Sequence, residues 1–230
     1  MQNIFNERRI ERGARIGKIG MFAGLGILGL GLVVSLTLQA SSLIWISFGC
    51  LLLGFLVSSV GTMNMNRWMR EPRADQALAQ GLKGFDARYR LYSYFLPAPH
   101  VLLSPQGLYV LTAMGQDGVI RYDGQKFRRD FSLVRLLRFM ADEGLGKPLA
   151  DADAQVAALR KFLDEHDTGE GIEIQNLLVF YNPQAELSIS DPPRPMIAPK
   201  GLKKALRKQQ GKLPSEQYRR LRDLFDQAVD

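Results

Sequence analysis

Residues 19–66 contain no aspartate, glutamate, lysine or arginine, an uncharged run of 48 residues in a chain of 230. Nothing else in the sequence restricts the fold as much. Within the run, residues 19–38 and 43–61 are each about the 20 residues that a helix needs to cross a hydrocarbon core of roughly 30 Å. Only Gln39, Ala40, Ser41 and Ser42 separate them. Backbone at that depth must close its own hydrogen bonds, so two spans joined so tightly run antiparallel as a helical hairpin. Before the run stand Arg8, Arg9, Arg12, Arg15 and Lys18 against Glu7 and Glu11; after it stand Arg67, Arg70 and Arg73 against Glu71. Both flanks are net positive, so both are expected in the cytoplasm at the cell membrane, with Trp68 as an interfacial aromatic.

A cleaved signal peptide ending near Leu38-Gln39-Ala40 is the competing reading. The apolar run is too long for a signal core, and a second span follows at once. Gly20, Gly24, Gly31 and Ser35, and Cys50, Gly54 and Ser58, recur at spacings that let helix backbones approach closely. Packing of the two spans within one chain is preferred to pairing between chains. Cys50 is the single cysteine, which excludes a disulfide framework.

The 30 basic and 23 acidic residues leave a net charge of +7. Residues 1–73 and residues 199–230 each carry +5, whereas residues 74–198 carry −3. The body of the polar region is mildly acidic, which argues against a phosphate-tracking groove across it. The expected organisation is a basic segment over 1–18, spans over 19–38 and 43–61, and one cytoplasmic domain over 74–230, long enough for its own core.

Leu78, Leu82, Phe85, Tyr89 and Tyr92 recur at helical steps, so a helix is expected from Asp75 to Leu96, ending at Pro97 and Pro99. Residues 101–103, 108–111 and 119–122 then read as an antiparallel meander beside a buried strand at 174–180. Asp123-Gly124 reads as a hairpin turn into a further strand over 125–129. Helical spacing returns at Leu133, Leu136, Leu137 and Met140, and again after an N-cap at Asp151 or Asp153. Short strands are expected at 185–189 and 195–198, then a basic helix from Gly201 and a last helix capped by Ser215. A mixed α/β or α+β domain follows.

Two histidines and one cysteine within the uncharged run cannot assemble a zinc cluster or a cysteine-histidine nucleophile. There is no phosphate-binding glycine loop and no dinucleotide fingerprint. His100, opening an apolar strand, reads as structural, and the acids of residues 164–170 read as a solvated loop. No cofactor or metal is expected.

Gly81 to Asp86, then Pro99-His100-Val101-Leu102-Leu103-Ser104-Pro105-Gln106-Gly107-Leu108-Tyr109-Val110-Leu111-Thr112-Ala113-Met114, then Gly118, Pro148, Gln155 and Leu177 to Phe180, resemble the NERD (nuclease-related) domain over roughly residues 76–210. The family is related to the PD-(D/E)xK nucleases. The resemblance implies a mixed sheet flanked by helices, and a site joining a helix acid, an Asp opening one strand and a Glu-x-Lys on the next, around a divalent metal. Asp86 stands for the helix acid, but Pro99 occupies the place of the strand Asp, Thr112 that of the Glu and Met114 that of the Lys. The expectation is a membrane-anchored, catalytically degenerate binding or scaffolding module with a protein partner. Two alternatives stand beside it: nucleic-acid binding through Lys200, Lys203, Lys204, Arg207, Lys208 and Lys212, and a nuclease with migrated acids using Asp86 with Asp117 or Asp123.

Overall fold

The computed structural model describes residues 1–37, 44–130, 144–209 and 211–229. The expected inter-span loop, the span ends Leu38 and Leu43, and the helix expected through Leu133 and Met140 lie outside these residues. The chain forms two compact units: one holds Met1–Asn6 and the described residues from Ala74 onward, the other holds Glu7–Arg73.

The second unit is two long helices, α1 (Glu7–Thr37) and α2 (Ile44–Trp68). Both are long and apolar enough to cross a membrane. They are not the core of a soluble bundle. Large apolar side chains such as Leu36 (73% exposed) and Trp45 (78% exposed) face outward. Ile10, Gly17, Gly24 and Gly31 on α1, and Ser47, Gly54, Gly61 and Trp68 on α2, are buried. That seven-residue recurrence keeps one seam of each helix against its partner.

The contacts run antiparallel: Gly13 lies against Trp68, Gly20 against Gly61, Gly24 against Ser58 and Gly31 against Cys50. The small residues therefore pack the two helices of one chain, as expected, although the deepest positions recur every seven residues and Ser35 is exposed. Gly26, Gly29 and Gly49 border open space.

The first unit is mixed α/β. Its main sheet has six strands: β1 (Gln2–Phe5), β2 (Arg90–Ser93), β3 (His100–Ser104), β4 (Gly107–Met114), then β7 (Ile174–Phe180) and β9 (Met196–Ile197), in the order β1-β2-β3-β4-β7-β9. β2, β3 and β4 alternate in direction, while β1 joins β2, β7 joins β4 and β9 joins β7 in parallel. A smaller sheet orders β6 (Phe127–Arg129), β5 (Gly118–Tyr122) and β8 (Ala185–Ile189).

Alternating side chains send Leu108 and Val110 to one face, against Leu159 and Leu163 of α4 (Pro148–Glu165) and Leu221 and Phe225 of α6 (Ser215–Gln227). Tyr109 and Leu111 go to the other, against Leu78 of α3 (Ala74–Gly81) and Leu202 and Leu206 of α5 (Leu202–Lys208).

Several expectations are corrected. Residues 2–5 are an edge strand of the domain sheet, not part of a separate basic segment. The helix expected to reach Leu96 stops at Gly81; Gly84 at φ +98° turns the chain, and the tyrosine spacing belongs to strand β2, where Leu91 and Tyr92 point to opposite cores. β5 leaves the expected meander for the second sheet. β4 and β7 break together: Asn182 Nδ2 donates to Gly115 O at 2.8 Å and Gly118 N to Gln184 O at 2.9 Å. The two then resume as the parallel pair β5 and β8. α4 starts at Pro148 after Lys147, so neither Asp151 nor Asp153 caps it, and α6 follows Pro214 with no side-chain cap from Ser215. The Asp123-Gly124 turn and the strand at 185–189 are as expected.

Candidate functional site

β4 brings two of the expected site positions to one face. Thr112 and Met114 are two residues apart on the side that carries α4. β3 pairs with β4 through Val101↔Val110, and that register, continued two residues, sets Pro99 opposite Thr112. Thr112 and Met114 thus lie on β4, and Pro99 in the loop that leads directly into β3, at one end of the sheet.

What they do there is structural. Asn176 of β7 donates from Nδ2 to Thr112 Oγ1 at 2.9 Å and to Val110 O at 3.2 Å, and Thr112 Oγ1 donates to Gln155 Oε1 of α4 at 3.2 Å. The buried Thr112 hydroxyl has its proton committed to one neighbour and a lone pair to the other. This neutral chain holds strand to strand and strand to helix. It offers neither an acid nor a base near neutral pH. Met114 packs in an apolar cluster with Ile120, Tyr122, Ala152, Leu178, Phe180 and Met196. Pro99 O accepts from Tyr94 N at 2.7 Å, and Tyr94 is held at φ +69°. A hard divalent cation prefers several oxygen ligands, and a thioether, a proline ring and one engaged hydroxyl do not supply them.

Asp86 is not part of this group. It lies in the turn between α3 and β2, outside any helix. β2 runs from Arg90, opposite Leu103, to Ser93, opposite His100. Asp86 therefore sits at the far end of β3 from Pro99, roughly 13 Å of strand away. Its neighbour Tyr89 bonds Gln106 of the β3–β4 turn at 2.8 Å. Asp86 is tied to Arg88, with Nη2 to Oδ2 at 2.6 Å, and that bond holds its carboxyl below the ordinary carboxylate value.

The acids of the migrated-site reading stand apart as well. Asp117 is engaged by Arg129. Asp123 accepts from the backbone of Lys126 at 2.8 Å and Gln125 at 3.1 Å, which lowers its pKa and closes the β5–β6 turn. Among the described residues no three histidine, cysteine, aspartate or glutamate side chains gather where they could hold a metal.

His100 is buried, with Nδ1 3.1 Å from Ser93 Oγ and its ring edge-on to Tyr94, consistent with a structural residue. The sequence signal for Asn176 is the pair of amides, Gln175 and Asn176, that interrupts the apolar residues of β7.

The basic residues form a second, separate feature. Leu202 and Leu206 are fully buried, so Lys204, Arg207 and Lys208 face outward on α5, with Lys200 exposed just before it and Lys203 half-buried. Comparisons with protein-family models, curated proteins and solved structures find no match to this chain.

Proposed function

We propose that this chain is a two-span membrane protein whose NERD-like domain, displayed in the cytoplasm, binds a protein partner and has no nuclease chemistry of its own. The observation that carries the non-catalytic reading is the Asn176–Thr112–Gln155 chain, which fills the place where the resemblance calls for a metal-binding Glu. The neighbouring position holds Met114 in an apolar cluster, where a nuclease of this kind carries a lysine. Pro99, just ahead of β3, with Thr112 and Met114 on β4, supplies a proline ring, an engaged hydroxyl and a thioether where the resemblance calls for an Asp, a Glu and a Lys.

The membrane part of the reading draws on unit membership. β1 precedes α1, and β2 follows α2, yet both are strands of one sheet. A hairpin inserted between them leaves and re-enters the same side of the bilayer, and the basic flanks select the cytoplasm. Removal of the first apolar helix as a signal sequence would also remove β1 from the sheet, which favours retention.

The test of non-catalysis is cleavage by the full chain purified in detergent. DNA and RNA remain intact with magnesium or manganese, and Asp86→Ala changes nothing. Metal-dependent cleavage abolished by Asp86→Ala would overturn the reading.

A further inference from the structure

We infer that the outward face of α5, together with the turn carrying Lys83, is a docking surface for anionic lipid headgroups of the bilayer that holds the chain. This rests on the membrane anchoring proposed above and not on the absence of cleavage.

The face is built by the core beneath it. Leu202 and Leu206 are locked among Leu78, Leu82, Tyr89 and Leu102, which fixes the roll of the helix. Gly81 lets α3 come up against this segment, because a Cβ there would meet Pro199 O at 2.5 Å and Leu202 Cδ1 at 3.0 Å. A Cβ on Gly84 would lie 3.2 Å from Lys203 Nζ, so the turn with exposed Lys83 adjoins the α5 lysines. Lys83, Lys200, Lys203, Lys204, Arg207 and Lys208 form one positive surface. No acidic residue occurs between Asp191 and Glu216. None of the six cations is ion-paired with a described carboxylate; the acids nearby, such as Asp86, are engaged by other arginines.

Two arguments choose lipid over nucleic acid. α5 has seven residues, about 10 Å of helix, which spans only about three phosphates along one nucleic-acid strand. The domain body between its basic ends is net negative and offers no continuation of such a track. Headgroups, by contrast, are held close to the domain by its covalent link to the apolar helices. Arg67, Arg70 and Arg73, which precede α3 in sequence, give the segment that joins it to the apolar helices the same sign of charge. A tethered patch gains from effective concentration even when each contact is weak. Each lysine or arginine near an anionic leaflet adds about fivefold to the occupancy of the docked state.

The experiment uses the full chain in vesicles of neutral phosphatidylcholine, or of the same lipid with about one-third phosphatidylserine. Flotation first reports whether the chain is anchored. Acetic anhydride labelling then reads Lys200, Lys204 and Lys208 against the exposed Lys126, which lies outside the patch. Labelling of the three falls severalfold in the anionic vesicles, recovers in high salt and is unaltered in neutral ones, while Lys126 does not change. Replacing Lys204, Arg207 and Lys208 with glutamine, which keeps both buried leucines, restores Lys200 labelling. Equal labelling in both vesicles, or equal protection in both, overturns the inference while leaving the anchoring intact. Protection by an added oligonucleotide without protection by anionic lipid assigns the surface to nucleic acid and overturns it too. Failure to float with either vesicle removes the anchoring and this inference together.

Discussion

Ile4 and Tyr92 are register partners in a parallel ladder, although the whole apolar hairpin lies between them in sequence. Both pack into the core cluster that contains Val101, Val110 and Phe225. The hairpin is therefore an insertion within one folded unit, between its first strand and its first helix, and not an appendage ahead of it.

Disrupting β1 destabilises the domain itself. Ile4 is only partly buried, so Ile4→Asp costs about 1–2 kcal/mol through lost apolar burial and a poorly solvated carboxylate. Thermal unfolding of the detergent-purified chain reads this as a lower midpoint. An unchanged midpoint contradicts the docking of residues 2–5.

The seam between α1 and α2 divides the glycines into two classes. A Cβ on Gly24 meets Ser58 N and one on Gly61 meets Met21 N, whereas Gly26, Gly29 and Gly49 have open space around them. Gly24→Leu or Gly61→Leu forces the helices apart at a cost of about 1–3 kcal/mol. Gly26→Ala, Gly29→Ala and Gly49→Ala leave the pair intact. Disulfide cross-linking between cysteines placed on the two helices distinguishes the classes, with efficiency falling only for the first.

Thr112→Val keeps the shape of the side chain and removes both polar functions. Asn176 retains Val110 O as acceptor, but Gln155 Oε1 loses its donor. The loss is about 1–2 kcal/mol of stability, seen in chemical denaturation. If the polar chain is structural, binding of any partner captured by the wild type survives in the folded variant.

Two tyrosines give the domain an alkaline limit. Burial pushes the Tyr109 phenol up to about 12 from its ordinary value of 10. Burial, and then donation to Asp226, also raises that of Tyr92. The folded state favours the neutral phenol, so the stability contributed is complete below pH 10, where the unfolded phenol is also protonated. It is lost as the pH rises through about 12 for Tyr109. Ultraviolet titration of tyrosinate shows Tyr109→Phe removing a group that ionises late, not one that ionises near pH 10.

The parts of this fold written in local periodicity were legible in sequence. The uncharged run gave two helices, Asp123-Gly124 gave the hairpin between β5 and β6, and the apolar run Leu177 to Phe180 of β7 gave a strand covered on both faces. The sequence misled where a local pattern serves two geometries. Tyr89 and Tyr92 fit a helical stripe and also two faces of a strand, and only the turn at Gly84 decides between them. Gln2 to Phe5 has no periodicity of its own; its strand exists because the edge of β2 is there to pair with. At the site, Thr112 and Met114 share a face through alternation along β4, and Pro99 comes near them because it leads directly into β3. Asp86 fell outside because its place depends on which end of β2 the preceding turn reaches.

The proposed topology, a hairpin inserted into one domain, puts both of its flanks on the cytoplasmic side of a membrane. Single cysteines at Asn3 and Glu216, in a chain carrying Cys50→Ser, put a reporter on the exposed side chain of each flank. A membrane-impermeant maleimide is added to intact cells and then to permeabilised ones. With both flanks in the cytoplasm, neither position reacts in intact cells and both react after permeabilisation. Reaction of either cysteine in intact cells would contradict this topology.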